Sequence, residues 1–306
     1  MDINSKYDNA TRTFDFNLGA ISTYITSDIT DNISFLNENT LGIKSNGEYK
    51  VGLERAIIKY TVDNYLNFSI GKFHSPASYW NITYHHGRVL QQTTTLPLLF
   101  QNRIIDRHTT GFMISGDFIG EKNFAYRFLI GNGLGSTAFK DNDRTKSITM
   151  QVQFDPIKDA TFFAAAYYDR ISSNVPNRNG TLLTENVNQN LYSAGLIYHP
   201  TDAKFELLSE FFIVKNDIKS LATKWNSSGY FYVGYSLKKL TPYYRLDHVN
   251  ITENDPYFVI DKISGHTLGL RYNFSYLARV NVEYQNTRSD VKQNVSSLRL
   301  QFAVGF

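Results

Sequence analysis

The chain is predicted to be all-β, a transmembrane antiparallel β-barrel, and three observations predict it. Apolar and polar residues alternate in run after run along nearly its whole length. Its aromatic content is carried by 21 Tyr and 22 Phe, against 2 Trp and 3 Met, a bias toward strand formers. The segments between runs alternate short and long, as turns and loops do at the two ends of a membrane barrel.

Taken in order, residues 2–10 are polar, with one short candidate strand at 3–7. From Thr13 the alternation is strict, Phe14, Phe16, Leu18 and Ala20 opposing Asp15, Asn17 and Gly19. Runs follow at about 32–43, at 49–60 with Ala56, Ile58 and Tyr60 opposite Arg55 and Lys59, and at 65–73. Residues 73–109 break the pattern. Beyond them alternation resumes at 112–118, 124–131, 148–154, 162–169, 192–198, 205–213, 231–235, 244–247, 267–274, 278–285 and 298–306. Counting back from the C-terminus finds fifteen strands. Single-chain bacterial barrels have an even number. Residues 3–7 supply the sixteenth, and fourteen is the alternative if one strand has been split.

A soluble sandwich also alternates, but its solvated face is usually rich in Lys and Glu. Here the polar face is mostly Asn, Gln, Ser, Thr and Gly, and the apolar face ends repeatedly in Tyr or Phe. That suits strands of about 9–11 residues crossing lipid with aromatic girdles. Backbone groups in hydrocarbon must all be paired, which requires the sheet to close. The expected organisation is a single barrel domain over 1–306, with 73–109 as a long extracellular-side connection folded into the lumen.

Composition excludes other classes. No run of 18 apolar residues exists, so no helix is expected to span a membrane. A net charge of +3 with scattered cations argues against a nucleic-acid partner. There is no Cys for disulfides or thiolate metal sites. The first four residues have neither the basic nor the apolar region of a signal peptide, as in a cytosolic protein or a mature sequence restarted at Met. No G-x-S-x-G or P-loop is present, and Gly131, Gly133 and Gly135 lead into a polar loop rather than a helix. No enzyme and no cofactor are expected.

The chemistry concentrates in 73–109. This stretch has one acid, Asp106, and holds four of the seven histidines, His74, His85, His86 and His108. Tyr79, Trp80, Tyr84, His85, His86, Arg88, Arg103 and Arg107 are the candidate constriction residues. Arginine forks recognise carboxylate or phosphate, and the aromatics either plug the lumen or pack the loop onto its wall. His85 and His86, being adjacent, point apart in an extended chain, and no H-E-x-x-H pattern occurs, so no metal site is expected. His74 and His108 flank the stretch, at positions where its two ends approach. The lumen-wall candidates are Arg55, Lys59, Arg127, Asp169, Glu206, Glu210, Arg245, Asp247, Arg271, Arg279, Glu283 and Arg299, with Asp15 and Asp117 on the same faces. Seven cations against seven acids argue against strong ion selectivity in the wall. The plainer reading of each is a cross-wall pair or an anchor for the inserted loop.

The C-terminal residues Leu300, Phe302, Val304 and Phe306 resemble the assembly signal of bacterial outer-membrane proteins. The stretch 54–80, with Leu53, Glu54, Arg55 and Ala56, then Ile70, Gly71, Lys72 and Phe73, then Ser75 and Pro76, resembles bacterial porin-like proteins of the broad group that includes the phosphate-selective porins. The resemblance implies an outer-membrane channel with a loop folded inward. The lysine ladder of a phosphate-selective channel is not evident, so that selectivity is not carried over. The expected function is passive passage of small hydrophilic solutes across the bacterial outer membrane. The alternative is a non-conducting barrel, either an accessory or anchoring part of an envelope complex or an adhesin. Expected partners are outer-membrane lipid and lipopolysaccharide, the solutes, the barrel assembly machinery, and further copies or an envelope complex.

Overall fold

Period-two alternation becomes one antiparallel sheet whose two faces meet different surroundings. A computed structural model describes residues 2–9, 13–43, 47–85, 87–134, 140–200, 204–260, 262–290 and 294–305. Its strands are β1 (Asp2–Asp8), β2 (Thr13–Leu18), β3 (Ile21–Asp28), β4 (Ile33–Ile43), β5 (Tyr49–Asp63), β6 (Leu66–His74), β7 (His108–Ile119), β8 (Phe124–Gly131) and β9 (Ser147–Ile157). They continue as β10 (Ala160–Ile171), β11 (Val187–Tyr198), β12 (Phe205–Asp217), β13 (Lys224–Tyr235), β14 (Leu240–Asn250), β15 (Ile263–Ser275), β16 (Ala278–Ser289) and β17 (Val295–Val304). Two short helices, α1 (Tyr79–Thr83) and α2 (Leu98–Gln101), lie between β6 and β7.

Among the described residues the strand segments number seventeen, one more than the sixteen expected. The reason lies at Gly19 and Ala20, the two residues between β2 and β3. Leu18 of β2 pairs with Ile3 of β1, whereas Ile21 of β3 pairs with Leu41 of β4. One crossing of the wall therefore changes partner midway, its first half laddered on one side and its second half on the other. From β3 to β17 each strand pairs with the next, and β17 pairs with β1. Among the described residues no ladder joins β2 to β3; the chain itself carries the wall across. The short candidate at 3–7 is real, lying within β1.

The two faces separate cleanly. On β6, Ile70 is 60% exposed while neighbouring Ser69 is 2% exposed. Ile58, Phe112, Met150, Tyr192, Phe211, Leu268 and Leu300 also stand on the outer face, and Gln151, Gln189, Thr241, Asn281 and Gln301 are buried on the inner one. An apolar band outside and polar groups inside is the pattern of a membrane-spanning barrel. Leu300 and Phe302 point outward, Val304 is half-buried, and Phe306 lies outside the described residues.

Connections after β3, β5, β7, β9, β11, β13 and β15 are short; at the other end those after β6, β8, β10 and β14 are long, whereas those after β1, β4, β12 and β16 are short as well, so the expected alternation holds only in part. The hydrophobic core sits inside the barrel. Trp80, Leu98, Leu99 and Phe100 from 75–107 pack against Phe163, Leu191, Phe212, Tyr230 and Tyr232 of the wall. Val175, Leu183, Tyr257 and Phe258 from two other long loops close over the same cluster. The stretch 75–107 is thus folded into the lumen as an internal strap.

Candidate functional site

The strap begins where β6 and β7 end side by side. Ser75 N–H donates to Arg107 C=O at 2.9 Å, and Asn81 Nδ2 donates to both Ser75 C=O (3.0 Å) and Arg107 C=O (2.8 Å). One buried amide therefore ties the strap's two ends together. Ser78 caps α1, its hydroxyl accepting from Asn81 N–H at 3.2 Å.

The strap has little secondary structure to satisfy its own backbone, so the wall does it. Glu210 accepts from Tyr79 and Trp80 N–H at 3.1 and 2.9 Å. Glu283 accepts from Thr94 and Thr95 N–H at 2.8 and 2.9 Å, and Asp247 accepts from Leu98 N–H at 3.0 Å. Arginines supply the complementary donors. Arg245 reaches Thr95 C=O at 2.6 Å and Leu96 C=O at 3.1 Å, and bonds Asp247 at 2.8 Å. Arg271 donates to Gln92 C=O at 3.2 Å and to Glu206 at 2.6 Å, while Arg279 holds the carbonyls of Arg88 and Gln91. Buried charges persist only when paired and hydrogen-bonded, and here loop and wall meet that need mutually. Small wall residues make room as well. A Cβ on Gly265 of β15 would stand 2.9 Å from Leu98.

The strap divides the lumen unequally. Toward β10–β15 it is packed tight. Trp80 lies 4.7 Å from Phe100 and Tyr79 6.1 Å from Phe163, ring centre to ring centre. Toward β3–β6 it leaves a cavity of about 500 Å³. Lys50, Lys72, Arg88 and Arg107 line it against Glu38 and Glu54, so four cations face two carboxylates. The lining includes the ends of β5–β7 nearest the long loops, and Val304 and Gly305 at the short-turn end of β17. Tyr84 faces a second hollow of about 440 Å³ beside His199, Glu206 and Arg271.

At the cavity's edge, sequence-distant groups converge. His74 and His108 are direct cross-strand partners on β6 and β7. Their ring centres lie 4.9 Å apart, and His85 from the strap adds a third ring 4.5 Å from His74 and 5.1 Å from His108. Glu54 Oε2 lies 2.8 Å from His108 Nε2 and 3.8 Å from His85 Nε2. Glu54 reaches inward because β5 is bulged. Glu38 pairs with Arg55 and the next residue, Asn39, with Leu53, which leaves Glu54 as the extra residue. Burial pushes the His85 imidazole down to about 4 against the pull of Glu54, so its ring is neutral.

The other candidates fall elsewhere. Tyr79 and Trp80 pack into the apolar side instead of the cavity. Arg103 is exposed, with φ 53°, and is not among the cavity's lining residues. Arg55 bonds Glu38 at 2.6 Å, and Arg127 bonds Asp117 at 3.0 Å. Asp169 accepts from Leu134 N–H and Tyr167 O–H at 2.8 Å each, fastening the start of the 132–146 loop. Lys59 is exposed and Arg299 half-buried. His86 and the side chain of Asp15 lie outside the described residues. Sequence reasoning missed Glu38 and Glu54, because strict alternation puts Glu54 on the outer face with Ala56. The sequence places His74 near His108, but the approach of His85 to both depends on where the strap lands and is not legible from its position beside His86.

No protein-family profile matches the chain, and no curated protein matches it in sequence. Solved structures do match in fold. An anion-selective porin from Comamonas acidovorans superposes with a TM-score of 0.71 at 11% identity, over 100% of this chain and 97% of that one. The trimer form of OmpT, an outer membrane protein of Vibrio cholerae, gives 0.66 at 12% identity over 99% and 96%. OmpF of Salmonella typhi, solved with daunomycin, gives 0.65 at 9% over 99% and 96%. The chain has the fold of bacterial outer-membrane porins.

Proposed function

We propose that this outer-membrane β-barrel is a narrow, passive channel for small hydrophilic solutes. The observation that carries the reading is the 500 Å³ cavity between the strap and β3–β6. Its lining sets charged and polar side chains among a few apolar ones such as Val89 and Leu96, and it draws residues from both ends of the barrel wall. A wet, charge-lined path lowers the cost of moving a polar solute through the bilayer, with no chemical step required. The excess of cations over carboxylates favours anions and neutral solutes. The packed aromatic side makes the path much smaller than the lumen a barrel of this strand number encloses. The constriction is assigned to Lys72, His85, Arg88 and Arg107, with Glu54 opposite.

Planar-bilayer recording of the purified barrel tests this. Discrete, small conductance steps are expected, and they should grow when residues 84–104 are replaced by a short Gly/Ser linker. Folded protein that gives no steps with or without the strap would overturn the reading. It would favour the second one, a non-conducting barrel in an envelope assembly, which the apolar filling against β10–β15 supports. Self-association as a homo-oligomer, outer-membrane lipid and lipopolysaccharide contacts, and assembly through Leu300 and Phe302 belong to the same proposal.

A further inference from the structure

We propose that Glu54, His74, His85 and His108 form a binding site for a divalent transition-metal ion of the zinc class. One potential ligand atom from each lies within 4.8 Å of all the others. Three imidazoles and one carboxylate are a donor set that suits zinc, whose bonds of about 2.0–2.1 Å place tetrahedral ligands roughly 3.3 Å apart. The present separations run from 2.8 Å for Glu54–His108 up to 4.8 Å at most, so side-chain rotations would have to draw the wider pairs together around the ion.

The cluster is built, not scattered. His74 and His108 are fixed by the β6–β7 ladder, and Glu54 is turned toward them by the β5 bulge. His85 comes from the strap, whose ends are tied by Asn81. Behind His74 stands Glu38, 4.0 Å away, itself held by Arg55 at 2.6 Å. A carboxylate behind a ligating imidazole is the usual outer partner at metal sites. Within the cluster His85 Nδ1 is buried and makes no hydrogen bond among the described residues. An ion-pair network alone would not need three histidines around one carboxylate. Ion binding would also join the strap to three wall strands at one point, beside the cavity that Glu54, His85 and His108 line.

The test uses untagged, full-length barrel refolded in detergent, stripped with chelator, loaded with ZnCl₂ and desalted. Elemental analysis should find one zinc per chain, and Co²⁺ loading should give the strong visible absorption of tetrahedral cobalt. His85→Ala should weaken zinc binding roughly tenfold or more, and so should Glu54→Ala. His85 lies outside the strand ladder, so its variant keeps the barrel even where changes at His74 or His108 impair folding; heat-modifiable gel mobility checks this. His266→Ala, changing a histidine remote from the cluster, should leave binding unchanged. No zinc retained by the wild type, or equal retention by His85→Ala, would overturn the proposal. The measurement needs no current, so its outcome stands apart from that of the channel reading.

Discussion

His108 Nε2 stands 2.8 Å from Glu54 Oε2, and the contact exists because Glu54 is an extra residue in its strand. Without the bulge, Glu54 would share the outer face with Ala56 and Ile58, where a carboxylate would meet lipid. The bulge brings it to the lumen beside Arg55, so two consecutive residues serve the inner surface. On the other side of β5, Gly71 of β6 pairs with Ile57 in a backbone conformation of φ +143°.

Gly71→Ala should therefore disrupt this part of the wall. A Cβ at Gly71 would lie 1.9 Å from Ala56 C=O, and the backbone there is in a region that L side chains rarely adopt. A loss of more than about 1 kcal/mol is expected, read as a lower guanidinium midpoint for the folded barrel in detergent. An unchanged midpoint would contradict the strained geometry.

The strap depends on wall charges. Glu283 accepts from Thr94 N–H, Thr95 N–H and Tyr243 O–H. Glu283→Ala leaves these buried donors unpaired, at a cost of about 1–3 kcal/mol each. Loosening should make residues 88–104 newly sensitive to protease and raise single-channel conductance or its noise. Glu283→Gln retains an acceptor and should fall between. A strap equally resistant in all three proteins would show that the packing of Trp80 and Phe100 suffices to hold it.

Charge in the cavity should set ion preference. Arg107→Glu and Arg88→Glu each replace a lining cation by an acid; either alone evens the balance with Glu38 and Glu54, and both together reverse it. Under a KCl gradient the reversal potential should move toward cation selectivity, more in the double variant. Arg103→Glu is the control, because Arg103 is exposed away from the cavity. An equal shift from Arg103→Glu would point to a general surface effect.

His199 supplies a pH dependence. Its Nε2 lies 3.4 Å from Glu206 Oε2, and hydrogen bonding to that carboxylate raises the imidazole above its ordinary 6.5. A raised folded value means this contribution to stability is fully present below pH 6.5 and is lost as pH rises through the folded value. Imidazole NMR should find His199 titrating above pH 6.5, and Glu206→Gln should return it toward the ordinary value. A wild-type midpoint at or below 6.5 would rule the pair out.

Much of the wall was legible in the sequence because side-chain alternation is local. Runs such as Phe211 against Glu210, or Leu268 against Thr267, state their two faces without reference to any other strand. The anchoring role of Arg245, Asp247 and Glu283 was legible only as an alternative to pore lining, since their partners are 149 to 189 residues away in the chain. The aromatic side of the strap was legible as composition but not as direction. Tyr79 and Trp80 turn away from the cavity because Glu210 fixes the start of α1 and Phe163 and Phe100 receive their rings.

By itself the sequence determined an all-β barrel with an apolar outer face, short turns at one end, and one stretch, 73–109, that could not be wall. Those features follow from residue order over a few positions at a time. Tertiary structure decided that one wall crossing divides at Gly19 and Ala20, that a bulge turns Glu54 inward, and that Glu54 meets His74, His85 and His108. These depend on strand register and on where a loop lands inside the barrel, and both are settled by pairing and packing between segments distant in the chain.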